Sequence, residues 1–364
     1  MKSTLDITPL EKWLPVSDQP LIIAGPCSAE TEEQVIQTAL GVAGIPQVKI
    51  FRAGIWKPRT RPGAFEGVGT KGLKWLQKAR EQTGLLITVE VANPRHVEEA
   101  LDHGIDILWI GARTVVNPFA VQEIGEAIGD RDVPVMIKNP LNPDLPTWMG
   151  AIERLNHMGL KKLIAVHRGF SFFNRSPYRN APMWEIPIEL KRLHPNLPIM
   201  VDPSHICGNR ELIPSTIQKA LDLEMNGLMI ETHYNPSKAL TDKNQQVTPA
   251  HLQEIISRLI LRRESLNTEF SFRLEELRSE IDKLDEELID ILARRMNVVE
   301  EIGTYKRVNK ITILQLKRWS QLTQDRVEAG TKLGLSREFI IKLLETVHEE
   351  GIQRQIDVMN RNED

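Results

Sequence analysis

The sequence predicts a (β/α)8 barrel followed by an all-helical domain, and three observations carry that reading. From Pro20 to about Tyr234 a short β-branched run, an amphipathic helical stretch and a turn signal recur eight times. Polar residues collect just after those runs, where a closed barrel gathers its strand ends into one ring. Beyond about Phe270 both strand signal and proline stop, and Leu, Ile, Glu, Lys and Arg continue at helical spacing. The expected layout is an extension over 1–19, the barrel over 20–263, a linker over 264–271 and a helical domain over 272–364.

Strands are expected to begin near Leu21, Val48, Leu85, Ile107, Pro134, Lys162, Pro198 and Gly227. Between them lie helical patterns such as Thr31–Val42, Thr70–Glu81, Pro94–His103, Thr147–His157 and Glu211–Glu224, and a last helix over about Thr248–Arg263 closes the series. A doubly wound sheet fits less well, because it usually has fewer strands and no Gly-rich dinucleotide fingerprint follows the first strand.

The bulk numbers narrow the function class. A chain of 364 residues with 41% apolar and 26% charged side chains is globular and long enough for two domains. A net charge of −3 gives no reason to expect nucleic acid or a membrane surface as partner. Cys27 and Cys207 are the only cysteines, which suits a reducing compartment. With no signal-peptide layout at Met1 and no apolar run near the roughly 20 residues of a bilayer span, the expected location is the cytoplasm.

The strand ends carry the chemistry. They read Gly25-Pro26-Cys27-Ser28, then Arg52 with Lys57-Pro58-Arg59-Thr60, Glu90, Gly111-Ala112-Arg113-Thr114, Lys138-Asn139, His167-Arg168-Gly169, Asp202-Pro203-Ser204-His205, and Glu231-Thr232-His233 with Asp242 beyond. Any single Lys or Arg there is explained by a wet strand end. The whole basic set is not, because unpaired cations at one end repel each other unless a polyanion such as a phosphate or carboxylate joins them. Cys27, His205, Glu231 and Asp242 form a second set. Each alone reads as an ordinary core or loop residue, but together a thiol, an imidazole and two carboxylates suit a divalent ion. Their mixed softness admits Mn²⁺, Fe²⁺, Co²⁺ and Zn²⁺, with Mn²⁺ placed first, and no organic cofactor is called for.

In the tail, Leu274, Leu277, Ile281, Leu284, Leu288, Ile291, Val298 and Ile302 form an apolar seam on one long helix over about Phe272–Val308. The same count places Arg295 in the seam, where it either snorkels, pairs with a nearby Glu, or meets an anionic ligand. Lys306 follows by eleven residues and faces the same way, whereas Arg278 precedes by seventeen, about 25 Å along the axis. Arg278 and Lys306 can share a small site only if two protomers lie antiparallel, which hints at an intertwined homodimer.

The strand-end motifs of the barrel, in this order, resemble the 3-deoxy-D-arabino-heptulosonate 7-phosphate (DAHP) synthases, the shorter type best, over roughly Pro20–Arg263. The resemblance implies condensation of phosphoenolpyruvate with erythrose 4-phosphate. It implies metal ligation by Cys27, His205, Glu231 and Asp242, and phosphoenolpyruvate binding by Arg52, Lys57, Arg113, Lys138 and Arg168. Arg59 and Thr60 would hold the aldose phosphate, and Lys57 and Glu90 are candidates for moving protons. The rival is the sister synthase that uses arabinose 5-phosphate; the Lys57-Pro58-Arg59-Thr60 run favours the four-carbon aldose. The stretch Asn142–Trp148 and the loop Phe170–Pro182 depart from the family, and Arg175 and Arg179 there read more readily as solvated than as phosphate contacts.

The tail is similar to the all-helical chorismate mutases over about Phe272–Asn360, with Arg278, Arg295, Lys306, Arg318 and Gln355 at the family's ligand-binding spacing. The resemblance implies conversion of chorismate to prephenate by cations that grip two carboxylates and donate to the ether oxygen. Gln315, Trp319 and Gly351 stand where an Asp, a Glu and a Ser are usual. The leading expectation is a bifunctional enzyme whose barrel is inhibited by prephenate or chorismate bound in the tail. The alternatives are a single synthase with a sensing and dimerising module, and a purely structural coiled coil.

Overall fold

The computed structural model describes residues 5–14, 20–58, 63, 65–173, 176–262, 268–313 and 316–360, without the side chains of 268–272, 316–318 and 320. The chain divides into two compact units, 1–262 and 263–364.

The first unit is a closed parallel barrel in strand order β1 to β8. Its strands are β1 (Leu21–Gly25), β2 (Val48–Arg52), β3 (Leu86–Val91), β4 (Ile107–Ile110), β5 (Val135–Lys138), β6 (Leu163–His167), β7 (Ile199–Val201) and β8 (Gly227–Glu231). Every expected strand is present, each starting within one residue of its expected start. The helices between them are α1 (Glu32–Ala43), α2 (Lys71–Thr83), α3 (Pro94–Asp102), α4 (Pro118–Ile128), α5 (Leu145–His157), α6 (Glu185–Leu193), α7 (Pro203–Cys207), α8 (Ile213–Asp222) and α9 (Pro249–Ser257). Several begin at an oxygen-bearing cap: Thr31, Asn93, Asn117, Asp144 and Thr248 each accept a backbone N–H from the first turn.

Two local outcomes differ from the expected pattern. Asp202-Pro203-Ser204-His205 does not simply end a strand. Asp202 caps the single turn α7 by accepting the His205 N–H at 3.1 Å, and Pro203 supplies the fixed φ of a first helical position. The last barrel helix stops at Ser257 instead of reaching Arg263. Gln218 of α8 takes both backbone groups of Ile260, donating to its carbonyl at 2.9 Å and accepting its N–H at 3.0 Å, and Asp222 pairs with Arg262. Those bonds replace the helical ones.

Side chains fill the barrel. Ile23, Ile50, Ile107, Trp109, Met136, Ile164, Met200 and Met229 form one buried interior cluster. Leu10 and Leu14 of the N-terminal extension join it, and Thr8 N–H donates to the Lys161 carbonyl just before β6. The extension therefore plugs the floor and leaves the opposite end open.

The second unit is α10 (Thr268–Val308), α11 (Leu316–Lys332) and α12 (Arg337–Asn360). Helices α10 and α11 both pack on α12 around Val299, Val327, Ile340 and Val358. Gly303 allows the close approach, since a Cβ there would sit 3.3 Å from the Gln355 backbone. Much of the expected seam on α10 stays exposed: Ile281, Leu284 and Ile291 are 56%, 58% and 52% accessible.

Candidate functional site

The period of two along a strand builds the barrel site. Inward positions begin apolar and end polar: Ile50 then Arg52, Met136 then Lys138, Met200 then Asp202, Met229 then Glu231, and Leu86 then Thr88 and Glu90. The apolar layers form the packed interior, and the next inward step places charge at the open end. Trp109 is the shelf between them, with the Arg52 guanidinium 5.0 Å and the Lys138 ammonium 5.9 Å from its ring centre.

Above this shelf lies a cleft lined by Lys57, Glu90, Arg113, Lys138, Arg168, His205 and Asp242 among others. Seven of the expected site residues thus share one space. Cys27, Arg52 and Glu231 lie beneath it, fully buried. Arg59 and Thr60 lie outside the described residues. Two glycines make the approach work. A Cβ at Gly111 would meet Glu90 Oε1 at 2.0 Å, and one at Gly25, with φ of +147°, would meet the Arg52 carbonyl at 2.1 Å.

The ligand atoms of Cys27, Glu231 and Asp242 all fall within 4.8 Å of one another. The Cys27 thiol is 3.3 Å from Asp242 Oδ2, and His205 Nε2 is 3.7 Å from Glu231 Oε1. That Glu231 oxygen is buried and accepts no hydrogen bond among the described residues, although Arg52 Nη2 stands 3.3 Å away. Burial pushes the Cys27 thiol up to about 12, reinforced by the Glu231 charge. Burial also lowers His205, which favours its neutral, ligating form. A thiol that stays protonated alone, an unsatisfied carboxylate oxygen and a neutral imidazole together fit a divalent cation.

The cations are individually anchored. Lys57 Nζ donates to the Cys27 carbonyl at 2.7 Å and lies 3.2 Å from its sulfur. Burial alone would lower Lys57, but Cys27 and Glu90 more than offset it, and the net shift is upward. Burial brings Arg168 down to about 10, still a cation at neutral pH. Asn139 accepts the Arg168 backbone N–H at 2.7 Å and donates to the Gly169 carbonyl at 2.9 Å. Arg52 keeps two buried nitrogens, Nε and Nη1, without an acceptor among the described residues.

Three contributors were not singled out from sequence. Asp202 sits 2.7 Å from Lys138 Nζ and 2.8 Å from His205 Nδ1. Burial would raise it, yet His205 and Lys138 hold it well below the ordinary carboxylate range. Its inward register one step past β7, two residues after Met200, was the available signal. Gln245 donates to Glu231 Oε2 at 2.7 Å, and Gln246 accepts the Cys27 N–H at 3.0 Å, so the turn after Asp242 braces two members of the cluster. Arg179, read as a solvated loop residue, is exposed, yet it is also tied to the site. It lines the cleft and donates to Asp242 Oδ1 at 2.9 Å and Gln245 Oε1 at 2.8 Å. No periodicity marks it, because its loop is irregular. Arg175 lies outside the described residues.

In the helical unit, Arg295, Lys306 and Gln355 come together between α10 and α12. Lys306 Nζ donates to Gln355 Oε1 at 3.0 Å and to the Ile313 carbonyl at 2.6 Å, while Arg295 Nη1 approaches the Val347 carbonyl at 3.4 Å. Gly351 lies alongside, where a Cβ would sit 3.6 Å from Arg295 Nη1. Arg278 is exposed on the far part of α10, 3.5 Å from Glu275. The side chains of Gln315 and Arg318 lie outside what is described.

Comparisons with known proteins agree with this geometry. The model of the DAHP synthetase I family matches residues 12–266, and that of chorismate mutase type II matches residues 277–356. A phospho-2-dehydro-3-deoxyheptonate aldolase from Thermotoga maritima is 31% identical over 238 residues, 65% of this chain and 68% of that one. A 2-dehydro-3-deoxyphosphooctonate aldolase from Geobacter sulfurreducens is 27% identical over 263 residues, 66% of this chain and 92% of that one. Among solved structures, the crystal structure of the Thermotoga maritima DAHP synthase aligns with a TM-score of 0.60 at 31% identity, covering 65% of this chain and 67% of that one. A truncated form of the same enzyme aligns at 0.57 and 28%, covering 65% and 84%.

Proposed function

Because the chain belongs to the DAHP synthetase I family over residues 12–266 and continues into a chorismate mutase type II domain over residues 277–356, we propose that it catalyses two steps of the shikimate pathway. The barrel condenses phosphoenolpyruvate with D-erythrose 4-phosphate and water to give DAHP and phosphate. The helical domain rearranges chorismate to prephenate. The carrying observation is the juxtaposition of Lys57, Arg113, Lys138 and Arg168 around one cleft with the Cys27, Glu231 and Asp242 cluster at its base.

The cationic side chains hold two anionic substrates in one space, which converts a two-body encounter into an oriented reaction. Arg52, with two donors unspent, and Lys138 and Arg168 face the phosphate and carboxylate of phosphoenolpyruvate. Arg59 and Thr60 take the aldose phosphate. Cys27, His205, Glu231 and Asp242 would hold a divalent ion, Mn²⁺ first among the candidates, which would supply Lewis-acid polarisation of the aldehyde. The C3 carbon of the enol then bonds to the aldehyde carbon, water adds at C2, and phosphate departs from C2. Lys57 and Glu90 are the candidates for moving a proton during that sequence. The relatives that make the eight-carbon product mark the competing substrate, and the Lys57-Pro58-Arg59-Thr60 run favours erythrose 4-phosphate.

In the second unit, Arg295 and Lys306 bind the carboxylates and the ether oxygen, with Gln355 setting the Lys306 ammonium. Arg278 completes the site of a partner protomer across the exposed α10 seam. A domain that only binds chorismate or prephenate and dimerises is the second reading, favoured by Trp319 and Gly351 in place of two polar ligand-binding residues. One dual assay of the intact chain separates these. Both activities are expected, with the synthase alone lost in chelator and restored by a divalent metal. Synthase activity that survives exhaustive chelation overturns the metal assignment, and absent chorismate turnover overturns the mutase reading.

A further inference from the structure

Two of the three departures in the tail replace side chains that carry acceptor oxygens, a Glu at Trp319 and a Ser at Gly351. Trp319 offers only an N–H donor, and Gly351 offers no side chain. The Oε1 of Gln355 already accepts from Lys306 at 3.0 Å. One position on α12 restores an acceptor. His348, Gly351 and Gln355 follow at i, i+3 and i+7, so they form one stripe facing Arg295 and Lys306. The His348 ring stacks on Trp319 at a centroid distance of 3.8 Å and an interplanar angle of 14°. The stack joins α11 to α12 and fixes the imidazole. Its Nε2 is shielded from water and has no hydrogen-bond partner among the described residues. A dry, unpaired nitrogen carries a desolvation cost that an arriving donor removes.

We propose that His348, stacked on Trp319, is a substrate-binding residue of the mutase site, whose neutral imidazole accepts a hydrogen bond from the hydroxyl of the cyclohexadiene ligand. The assignment rests on the mutase reading and deepens it. The pair of Trp319 and His348 substitutes for an acidic side chain: the indole holds the imidazole in place, and Nε2 supplies the acceptor. With the acidic group gone, the site carries less negative charge of its own, which suits a dianionic ligand. The groups facing His348 are Arg295 and Lys306 from α10, Trp319 from α11 and Glu349 on its own helix. Burial lowers the imidazole below its ordinary value, and the two cations add to that. It is therefore neutral and able to accept at neutral pH, and the bond is lost as pH falls through that lowered value.

The test uses the full chain and chorismate. Wild type is expected to show kcat/KM with an acid limb below about pH 6.5, the ordinary histidine value. His348→Phe keeps the ring stack and should lose about ten- to a hundredfold in kcat/KM, as expected for one lost polar contact, together with that acid limb. His348→Gln, which keeps an acceptor, should recover part of the activity without the limb. If wild type turns chorismate over while His348→Phe retains both its kcat/KM and the acid limb, the assignment is wrong. If wild type shows no turnover at all, the mutase reading itself falls. Should His348→Phe lose helical content, the wild-type pH profile and His348→Gln still decide the matter.

Discussion

At the scale of single residues, the barrel site is a set of charges that tolerate burial only in each other's company. Lys138 and Asp202 show it best, at 2.7 Å with both side chains nearly or fully buried. Removing one partner of such a pair leaves the other uncompensated, typically at about 3–5 kcal/mol. Lys138→Met is therefore expected to lower stability by about that amount, read as a lower urea midpoint at unchanged slope. Adding Asp202→Asn should recover much of the loss. A single variant as stable as wild type would show that His205 and the capping N–H satisfy Asp202 without Lys138. Synthase activity should fall as well, since Lys138 lines the cleft.

At the scale of elements, the long helix α10 does two jobs along one seam. Its C-terminal part meets α12 and places Arg295 and Lys306 three turns apart beside it. Its N-terminal part leaves Ile281, Leu284 and Ile291 of the same seam more than half exposed. Such a row of large apolar side chains in water favours association, at about 25 cal/mol per Å² of apolar surface buried. A second copy would cover it and bring its own Arg278 toward the site. Wild type is expected to sediment as a dimer, and Ile281→Asp with Leu284→Asp to sediment at half the mass with mutase activity lost. A wild-type monomer at micromolar concentration that still rearranges chorismate would refute the shared site.

At the scale of the whole molecule, an early enzyme of a pathway is fused to a domain that handles a later metabolite, and that arrangement motivates feedback control. Prephenate or chorismate bound in the tail is expected to lower synthase activity. For that, the ligand must bind two global states of the chain unequally. The segment leaving the barrel is held on α8 by Gln218 and Asp222, and α8 follows closely on α7, which carries His205. A chain ending at Arg262 should keep synthase activity and be insensitive to prephenate. Inhibition that persists in the truncated barrel would remove the tail from the mechanism.

The sequence by itself determined the eight-strand count, the change to an all-helical second half, and the residue types of both sites. Those features are periodic or local: period two along strands, 3.6 along helices, and short motifs at strand ends. It also placed Cys27, His205, Glu231 and Asp242 in one group, because a barrel brings all strand ends together whatever their separation in the chain. Only the tertiary structure decided which charges line the cleft and which lie beneath it, since that depends on inward register and on depth. It turned Asp202 from a motif residue into the partner of Lys138 and His205. It brought Arg179 out of an irregular loop and onto Asp242, and set His348 against Trp319, contacts between elements that no period along one chain can encode.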